Sequence, residues 1–390
     1  MIRTAERFRE KDGIDVRLRH EVEEIDAAGG RVRVRQLETD RVFWEPYDKL
    51  LIATGALPVC PKLPGSDANP VCGINTLQSG VDLRRILDEG KARHGVVVGG
   101  GYIGLEMAEA LIRRGVEVTL VNRSPQVMAT LDEDMGQLVS QALRDFGVTL
   151  YLEEELTGFK TKEGAIVGVV TEKRSLPADL VILGLGVRPN TALAAAAGVP
   201  LGVKGSIRVN GRMETGIPGI WAAGDCAESF HLVSRRPFHI ALGTVANRQG
   251  RVAGINLGGG YATFPGVTGT AVTKICQVEV ARTGLQEREL RALGLEWVSA
   301  VIKSRTKAGY YPGSGEITVK VLAERGSGRL LGGQIVGREG SAKRIDTLAT
   351  ALHAGFTVEE MINLDLGYAP PFSPVWDPVV IACREAAKLL

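Results

Sequence analysis

Gly99, Gly101 and Gly104 form G-x-G-x-x-G between the apolar run V-V-V and a stretch with helical spacing from Ile103 to Arg114. Each glycine in such a setting has a task. The first permits a tight turn, the second lets backbone approach a pyrophosphate, and the third lets helix and strand pack closely. The helix start then offers unpaired N–H groups and a partial positive charge to the phosphates. The following strand, V-E-V-T-L-V, ends at Asn122 and Arg123. An acid at this position accepts from a ribose 2′-hydroxyl and repels a 2′-phosphate. With an amide there and a guanidinium beside it, NADPH is favoured over NADH or at least tolerated. A merely solvated Arg123 is the competing reading.

A second group lies at Gly224 and Asp225, which close the segment T-G-I-P-G-I-W-A-A-G-D. Asp225 follows the strand I-W-A-A and is placed to accept hydrogen bonds from a polyol such as a ribityl chain. The stretch G-T-V-A-N-R-Q-G-R-V-A begins a helix near Thr244, with its first N–H groups available to an electron-rich flavin carbonyl. FAD is therefore the second cofactor expected. Gly55 and Gly186 occupy matching places in I-A-T-G-A-L-P and L-G-L-G-V-R-P, each an apolar strand that stops at glycine and proline. They read as equivalent exits from two similar nucleotide-binding domains, a weak internal repeat.

The elements that must position these groups follow from periodicity. Alternating strands are expected at I-D-V-R-L-R-H-E-V, R-V-R-V-R-Q-L and R-V-F-W, then the apolar strand K-L-L-I-A-T-G. Pro58, Pro61 and Pro64 make a stiff connection out of that sheet. A βαβ unit from His94, a helix near Asp132 to Phe146, and the strand D-L-V-I-L follow. From about Phe264 the pattern is mixed α+β, with a helix from Ser341 to Ala354 and a proline-rich aromatic tail, Y-A-P-P-F-S-P-V-W-D-P, that is expected to pack against something. The expected fold is α/β, with two Rossmann-like nucleotide-binding domains and a C-terminal α+β domain. The boundaries are residues 1–73 with 191–262 for FAD, 74–190 for NAD(P) and 263–390 for the last domain.

Bulk properties exclude other classes. At 390 residues, 44% hydrophobic, 24% charged and with a formal net charge of +2, the chain reads as globular, with no reason to invoke nucleic acid or an anionic membrane. Neither a signal peptide nor a membrane-spanning apolar run is legible, so a cytoplasmic protein is expected. Cys60, Cys72, Cys226, Cys276 and Cys383 lie far apart and the five histidines do not cluster with them, so neither a disulfide scaffold nor a metal site is expected.

Taken in order through essentially the whole chain, I-A-T-G-A-L-P, G-G-G-Y-I-G-L-E-M-A-E, G-V-R-P-N, T-G-I-P-G-I-W-A-A-G-D, G-T-V-A-N-R-Q-G-R and Y-A-P-P-F-S-P-V-W-D-P resemble the FAD-dependent pyridine nucleotide-disulfide oxidoreductases. The likeness is to the branch of coenzyme A-disulfide reductases, NADH oxidases and NADH peroxidases. It implies Tyr102 as a lid on the nicotinamide pocket and Glu106 beside the nicotinamide. It implies a homodimer in which the partner's C-terminal domain completes each active site, with Tyr368 touching flavin and Tyr310 and Tyr311 approaching the thiol chemistry. Asn247 and Lys11 fall where coenzyme A would be gripped. An edge-packed tyrosine pair, a helix-surface amide and a loop lysine are the plain alternatives.

The sequence also departs from that family. Its members open with a further G-x-G-x-x-G for FAD and a single redox cysteine, and neither occurs before Gly13. By comparison about 60 residues, roughly two βα units, are expected to be missing, leaving the FAD domain incomplete. None of the five cysteines reads as a replacement thiolate. The function implied is hydride transfer from NAD(P)H to flavin and then to a disulfide or persulfide of coenzyme A type. An NADH oxidase or peroxidase, and an inactive remnant that binds nucleotide and dimerises, are the alternatives.

Overall fold

The computed structural model describes residues 4–68 and 71–390. They divide into two compact units. The first comprises the chain to Ala56, Pro189–Phe230 and Pro237–Gly266; the second comprises Leu57–Arg188, His231–Arg236 and Val267–Leu390. Residues 57–73, placed by sequence with the FAD domain, thus fall in the second unit, as do both 74–188 and the C-terminal domain from Val267.

In the first unit an antiparallel sheet of three strands, His20–Asp26, Arg31–Gln36 and Arg41–Pro46, pairs Ile25 with Val32 and Val34 with Phe43. Its apolar side buries Ile25, Val32 and Val34 with Ile52, Ala194, Ile207, Ile220 and Ala222. Period-two alternation produces this one-sided burial. The strand expected from Ile14 begins only at His20, because Arg19 turns with φ +59° and Ile14 and Leu18 are 50% and 64% exposed. Alternation without a face to bury did not make a strand there. A parallel pair, Leu50–Ile52 with Ile220–Ala222, aligns Ile52 with Ala222. The helix Gly243–Leu257 buries Val245, Gln249, Val252, Ala253 and Asn256, a single stripe at helical spacing.

The second unit contains a parallel sheet in the order Val71–Cys72, Leu180–Leu183, His94–Val98, Glu117–Asn122, Thr149–Leu152. The helix Tyr102–Arg113 crosses between adjacent parallel strands and buries Leu105, Ala108 and Leu111. Full burial of each such leucine contributes about 2–3 kcal/mol. The helix Glu133–Asp145 buries Met135, Val139 and Leu143 in the same core. A helix absent from the sequence expectation, Leu77–Asp88, precedes the βαβ unit and is capped by Thr76 with Ser79.

The C-terminal part is an antiparallel sheet of five strands in the order Ala271–Ile275, Val278–Gly284, Leu330–Gly337, Glu316–Glu324, Trp297–Arg305. Ile317, Val319, Val321 and Ile335 form one core with residues of the helices Ile345–Ala354 and Pro378–Ala387. The alternate positions turn the other way. Lys320, only 4% exposed at its side chain, meets Asp132, Asp134 and Glu287 at 3.2, 2.9 and 2.8 Å. Gln334 donates to Asp132 at 2.7 Å, so the start of the Glu133–Asp145 helix is bonded to this sheet. Removing one partner of such a buried ionic cluster typically costs about 3–5 kcal/mol. Among the described residues no helix is long and apolar enough to cross a membrane.

Candidate functional site

The strand His94–Val98 runs into Gly99, whose φ of +104° lies in the region that favours glycine. A Cβ at Gly99 would lie 2.5 Å from the Gly184 carbonyl oxygen, and one at Gly104 would lie 2.0 Å from that of Gly99. Turn, neighbouring strand and helix therefore touch through backbone alone. Gly101 differs. It is the extended N-cap of the Tyr102–Arg113 helix, and a Cβ there would meet only the Gly184 oxygen, at 3.9 Å. The first turn has neither an acidic residue nor a side-chain cap, leaving its N–H groups to a ligand. Two glycines closed by packing and one facing open space fit a dinucleotide pyrophosphate.

Asn122 closes the next strand, and its side chain turns inward. Its Oδ1 accepts from Gly100 N–H at 3.0 Å, while Nδ2 donates to the Gln126 and Ser124 carbonyls at 2.8 and 3.3 Å. The amide holds the loop together and has its hydrogen-bonding capacity committed to protein. Arg123 is exposed and makes no hydrogen bond or ion pair among the described residues. A free guanidinium at this position can pair with a 2′-phosphate.

Tyr102 is half-buried, with Thr130 Oγ1 3.5 Å from its hydroxyl, at the outer limit for a hydrogen bond. Glu106, one turn on, accepts from Thr273 Oγ1 at 2.7 Å, and Glu109 accepts from Cys276 N–H at 2.6 Å. The helix that starts at the glycine turn is thereby tied to the Ala271–Ile275 hairpin. Gly186 has φ +88°, and its carbonyl accepts from Val59 N–H at 2.9 Å.

The first unit holds the other group. Gly55 has φ +68° and accepts from Asn190 N–H at 2.9 Å, the same backbone arrangement as Gly186. Gly224, at φ +84°, donates its N–H to Gln249 Oε1 at 2.9 Å. Gln249 is fully buried and is itself held by the Glu228 carbonyl and Ser229 Oγ. The Asp225 carboxyl beside them is half-buried and has no hydrogen-bond donor among the described residues. Burial raises its pKa above the usual carboxylate range, opposed by the nearby His239 ring. A carboxyl set this way fits hydroxyl donors such as those of a ribityl chain. The helix Gly243–Leu257 has an extended Leu242 cap without a side-chain hydrogen bond, no acidic residue in its first turn, and Thr244 exposed. Asn247 bonds back to the Gly243 carbonyl at 2.9 Å, which is the helix-surface arrangement. Lys11 is exposed on the helix Ala5–Asp12 and makes no ion pair among the described residues.

Tyr310, Tyr311 and Tyr368 are 78%, 36% and 47% exposed. Tyr310 and Tyr368 come together: local desolvation and the adjoining Tyr310 phenol, as charge and as hydrogen-bond partner, lift the Tyr368 hydroxyl above its ordinary pKa. Tyr311 anchors its turn by backbone, with N–H to Ala308 at 2.8 Å. The thiols give a different picture. Burial pushes Cys276 up to about 11, with Glu109 adding to the effect, and Cys383 up to about 12, so neither is a thiolate near neutrality. Cys226 is fully buried with Sγ facing the Ala223 and Ile52 carbonyls, and Cys60 is exposed. The side chain of Cys72 lies outside the described residues.

Three groups were not legible in the sequence. Arg344 and Asp377 form a part-buried ion pair at 2.9 Å, with side chains 11% and 15% exposed. Lys320 gathers the acidic cluster described above. His231 is 1% exposed, and its Nδ1 accepts from the N–H groups of Val233 and Ser234. Burial first, and Arg282 second, lower it to about 4. In sequence these are isolated ionisable residues: the ionic partners of Arg344 and Lys320 lie 33 or more residues away, and His231 is buried in a setting shared with Arg282. No local spacing marks them.

Comparison with known proteins identifies the family. The family model described as pyridine nucleotide-disulphide oxidoreductase matches residues 3–250, and the dimerisation domain of the same family matches residues 270–378. The expectation of an FAD domain without its opening segment is not carried by this match, which starts at residue 3. The chain is 39% identical over 378 residues to an NAD(P)H sulfur oxidoreductase (CoA-dependent) of Pyrococcus furiosus, covering 97% of this chain and 84% of that protein. It is 35% identical to an NADH oxidase of Methanocaldococcus jannaschii, covering 100% of this chain and 86% of the relative. The solved structure of an NAD-dependent persulfide reductase from A. fulgidus superposes with a TM-score of 0.96 at 36% identity, covering 99% of this chain and 72% of that one. The chain belongs to the pyridine nucleotide-disulphide oxidoreductase family, whose members are FAD-dependent NAD(P)H oxidoreductases.

Proposed function

We propose that the chain accepts hydride from NADPH or NADH and directs the electrons through FAD to a small disulfide or persulfide of coenzyme A type, working as a homodimer. The observation that carries the reading is the glycine turn: closed at Gly99 and Gly104, open at Gly101, and heading a helix with free N–H groups. In this reading Gly99, Gly101 and Gly104 hold the pyrophosphate, Arg123 pairs with a 2′-phosphate, and Tyr102 and Glu106 border the nicotinamide. Gly224 and Asp225 bind the ribityl hydroxyls, and the helix start at Thr244 stabilises negative charge on the ring system. Gly55 and Gly186 let backbone approach the cofactors at the two strand exits. FAD, when bound, supplies the two-electron relay between nicotinamide and acceptor. Tyr368 and Tyr310 orient the sulfur substrate and can donate or hold a proton at their phenol oxygens, with Tyr311 beside them. Asn247 and Lys11 are the candidates for gripping the coenzyme A portion.

Burial holds Cys276 and Cys383 as thiols, so the sulfur nucleophile is not assigned to either. That same observation favours a second reading, oxygen or peroxide as the acceptor, in keeping with the relative named NADH oxidase. The deciding experiment measures NADPH consumption by purified chain with added FAD, offered coenzyme A disulfide, a coenzyme A persulfide or oxygen in turn. Thiol or sulfide release matched to NADPH is the expected result. Consumption with oxygen alone would support the second reading, and NADPH binding without flavin uptake would mark a nucleotide-binding remnant.

A further inference from the structure

The tyrosines Tyr310 and Tyr368 belong to segments with little regular structure of their own. Tyr310 sits in the 306–315 loop between the strands Trp297–Arg305 and Glu316–Glu324. Tyr368 sits in the proline-rich tail ahead of the helix Pro378–Ala387. Among the described residues one backbone hydrogen bond joins the two directly, from Ala308 N–H to the Pro370 carbonyl at 3.2 Å. Extended connections of this kind are poorly ordered unless side chains fix them.

Arg344 reaches both. Its Nη2 donates to the Thr306 carbonyl at 2.8 Å, at the root of the Tyr310 loop, and to the Phe372 carbonyl at 2.9 Å, in the Tyr368 tail. Its Nε donates to Asp377 Oδ2 at 2.9 Å, and Nη1 donates to the Gly340 carbonyl. Asp377 is held in turn: Oδ1 accepts from Val379 N–H at 2.9 Å as the cap of the last helix, and Oδ2 accepts from Ser373 Oγ at 3.3 Å. The planar guanidinium thus spends its fixed fork on three separate carbonyls and one carboxylate. A lysine, with one compact ammonium group, cannot span that arrangement. The bonds are charge-assisted, and those to Asp377 and Thr306 are part-buried, circumstances that strengthen them.

We infer that Arg344, fixed by Asp377, is a positioning residue that holds the Tyr310 loop and the Tyr368 tail in register so that the two phenols meet. The inference rests on the proposed role of those phenols at the sulfur substrate, but its test does not require that role to be right.

The test uses the full chain with Arg344→Lys, and Asp377→Asn as a second variant, in hydrogen–deuterium exchange and in tyrosinate absorbance titrations referenced to Tyr368→Phe. In Arg344→Lys the amides of 306–315 and 369–377 exchange about tenfold faster or more, the factor carried by roughly one charge-assisted hydrogen bond. The strands Glu316–Glu324 and Leu330–Gly337 keep their protection, and the Tyr368 titration moves down toward an ordinary tyrosine as Tyr310 departs. Asp377→Asn gives the same pattern. Exchange that quickens through the whole sheet with the Tyr368 titration unmoved would overturn the inference, leaving Arg344 as general scaffolding; unchanged exchange in both segments would also overturn it. If both readouts move as expected while Tyr310→Phe and Tyr368→Phe leave turnover intact, the positioning inference holds and the proposed substrate role of the tyrosines fails.

Discussion

Asn122 Oδ1 accepts the backbone N–H of Gly100 at 3.0 Å, so the side chain ending the second strand of the βαβ unit is bonded into the glycine turn that ends the first. In the proposed reading cofactor choice falls to Arg123, the next residue and an exposed one. Arg123→Glu is expected to lower kcat/KM or affinity for NADPH by about tenfold or more while changing NADH little, since it replaces a phosphate partner with a repelling charge. Asn122→Asp removes the two donors to Ser124 and Gln126 and is expected to loosen the loop as well, by about 1–3 kcal/mol. Paired titrations with the two nucleotides check both; an unchanged NADPH to NADH ratio in Arg123→Glu would discard its role.

The glycine turn separates folding from binding. Gly104→Ala places a Cβ 2.0 Å from the Gly99 oxygen, backbone against backbone, and is expected to destabilise the unit by several kcal/mol, on the order of other severe overpacking changes. Gly101→Ala meets open space, so its thermal midpoint should stay near that of the parent while dinucleotide affinity falls about tenfold or more, because the methyl occupies the phosphate's approach. Melting curves with and without NADPH distinguish the two. Equal destabilisation by both substitutions would mean that Gly101 is a packing residue.

Those glycines were legible because their requirement is local: turn, close approach and helix start fall within six consecutive residues, Gly99 to Gly104. The strand–helix–strand pattern around them was legible for the same reason. The inward turn of Asn122 was not, since it depends on a hydrogen bond to Gly100, 22 residues earlier. Nor was Arg344, whose partners Thr306, Phe372 and Asp377 lie 28 to 38 residues away. Ile14 to Leu18 misled in the other direction, with a strand's alternation and no buried face to reward it. Tyr310 and Tyr368 were each expected near the sulfur chemistry, but their mutual contact is a product of the tail folding back.

His231 gives a pH dependence with a definite sign. Its folded pKa, lowered to about 4 by burial and by Arg282, lies below the unfolded value near 6.5. The unfolded chain therefore binds the extra proton between those values. The stability attached to neutral His231 is complete above about pH 6.5 and is lost as pH falls toward 4, a total of about 3 kcal/mol. Denaturant midpoints of the parent and of His231→Asn, measured across this window, should converge as the pH drops. Parallel curves would show that His231 does not titrate differently on unfolding.

The central proposal is that the chain, with nucleotide bound at Gly99–Gly104, reduces FAD held by Gly224, Asp225 and the Thr244 helix. The most direct measurement adds NADPH anaerobically to the purified chain carrying FAD and follows the flavin absorbance. The account predicts prompt loss of the oxidised flavin bands, much slower in Gly101→Ala and absent where Asp225→Ala has prevented FAD uptake. Flavin bands that persist in the presence of saturating NADPH would contradict it.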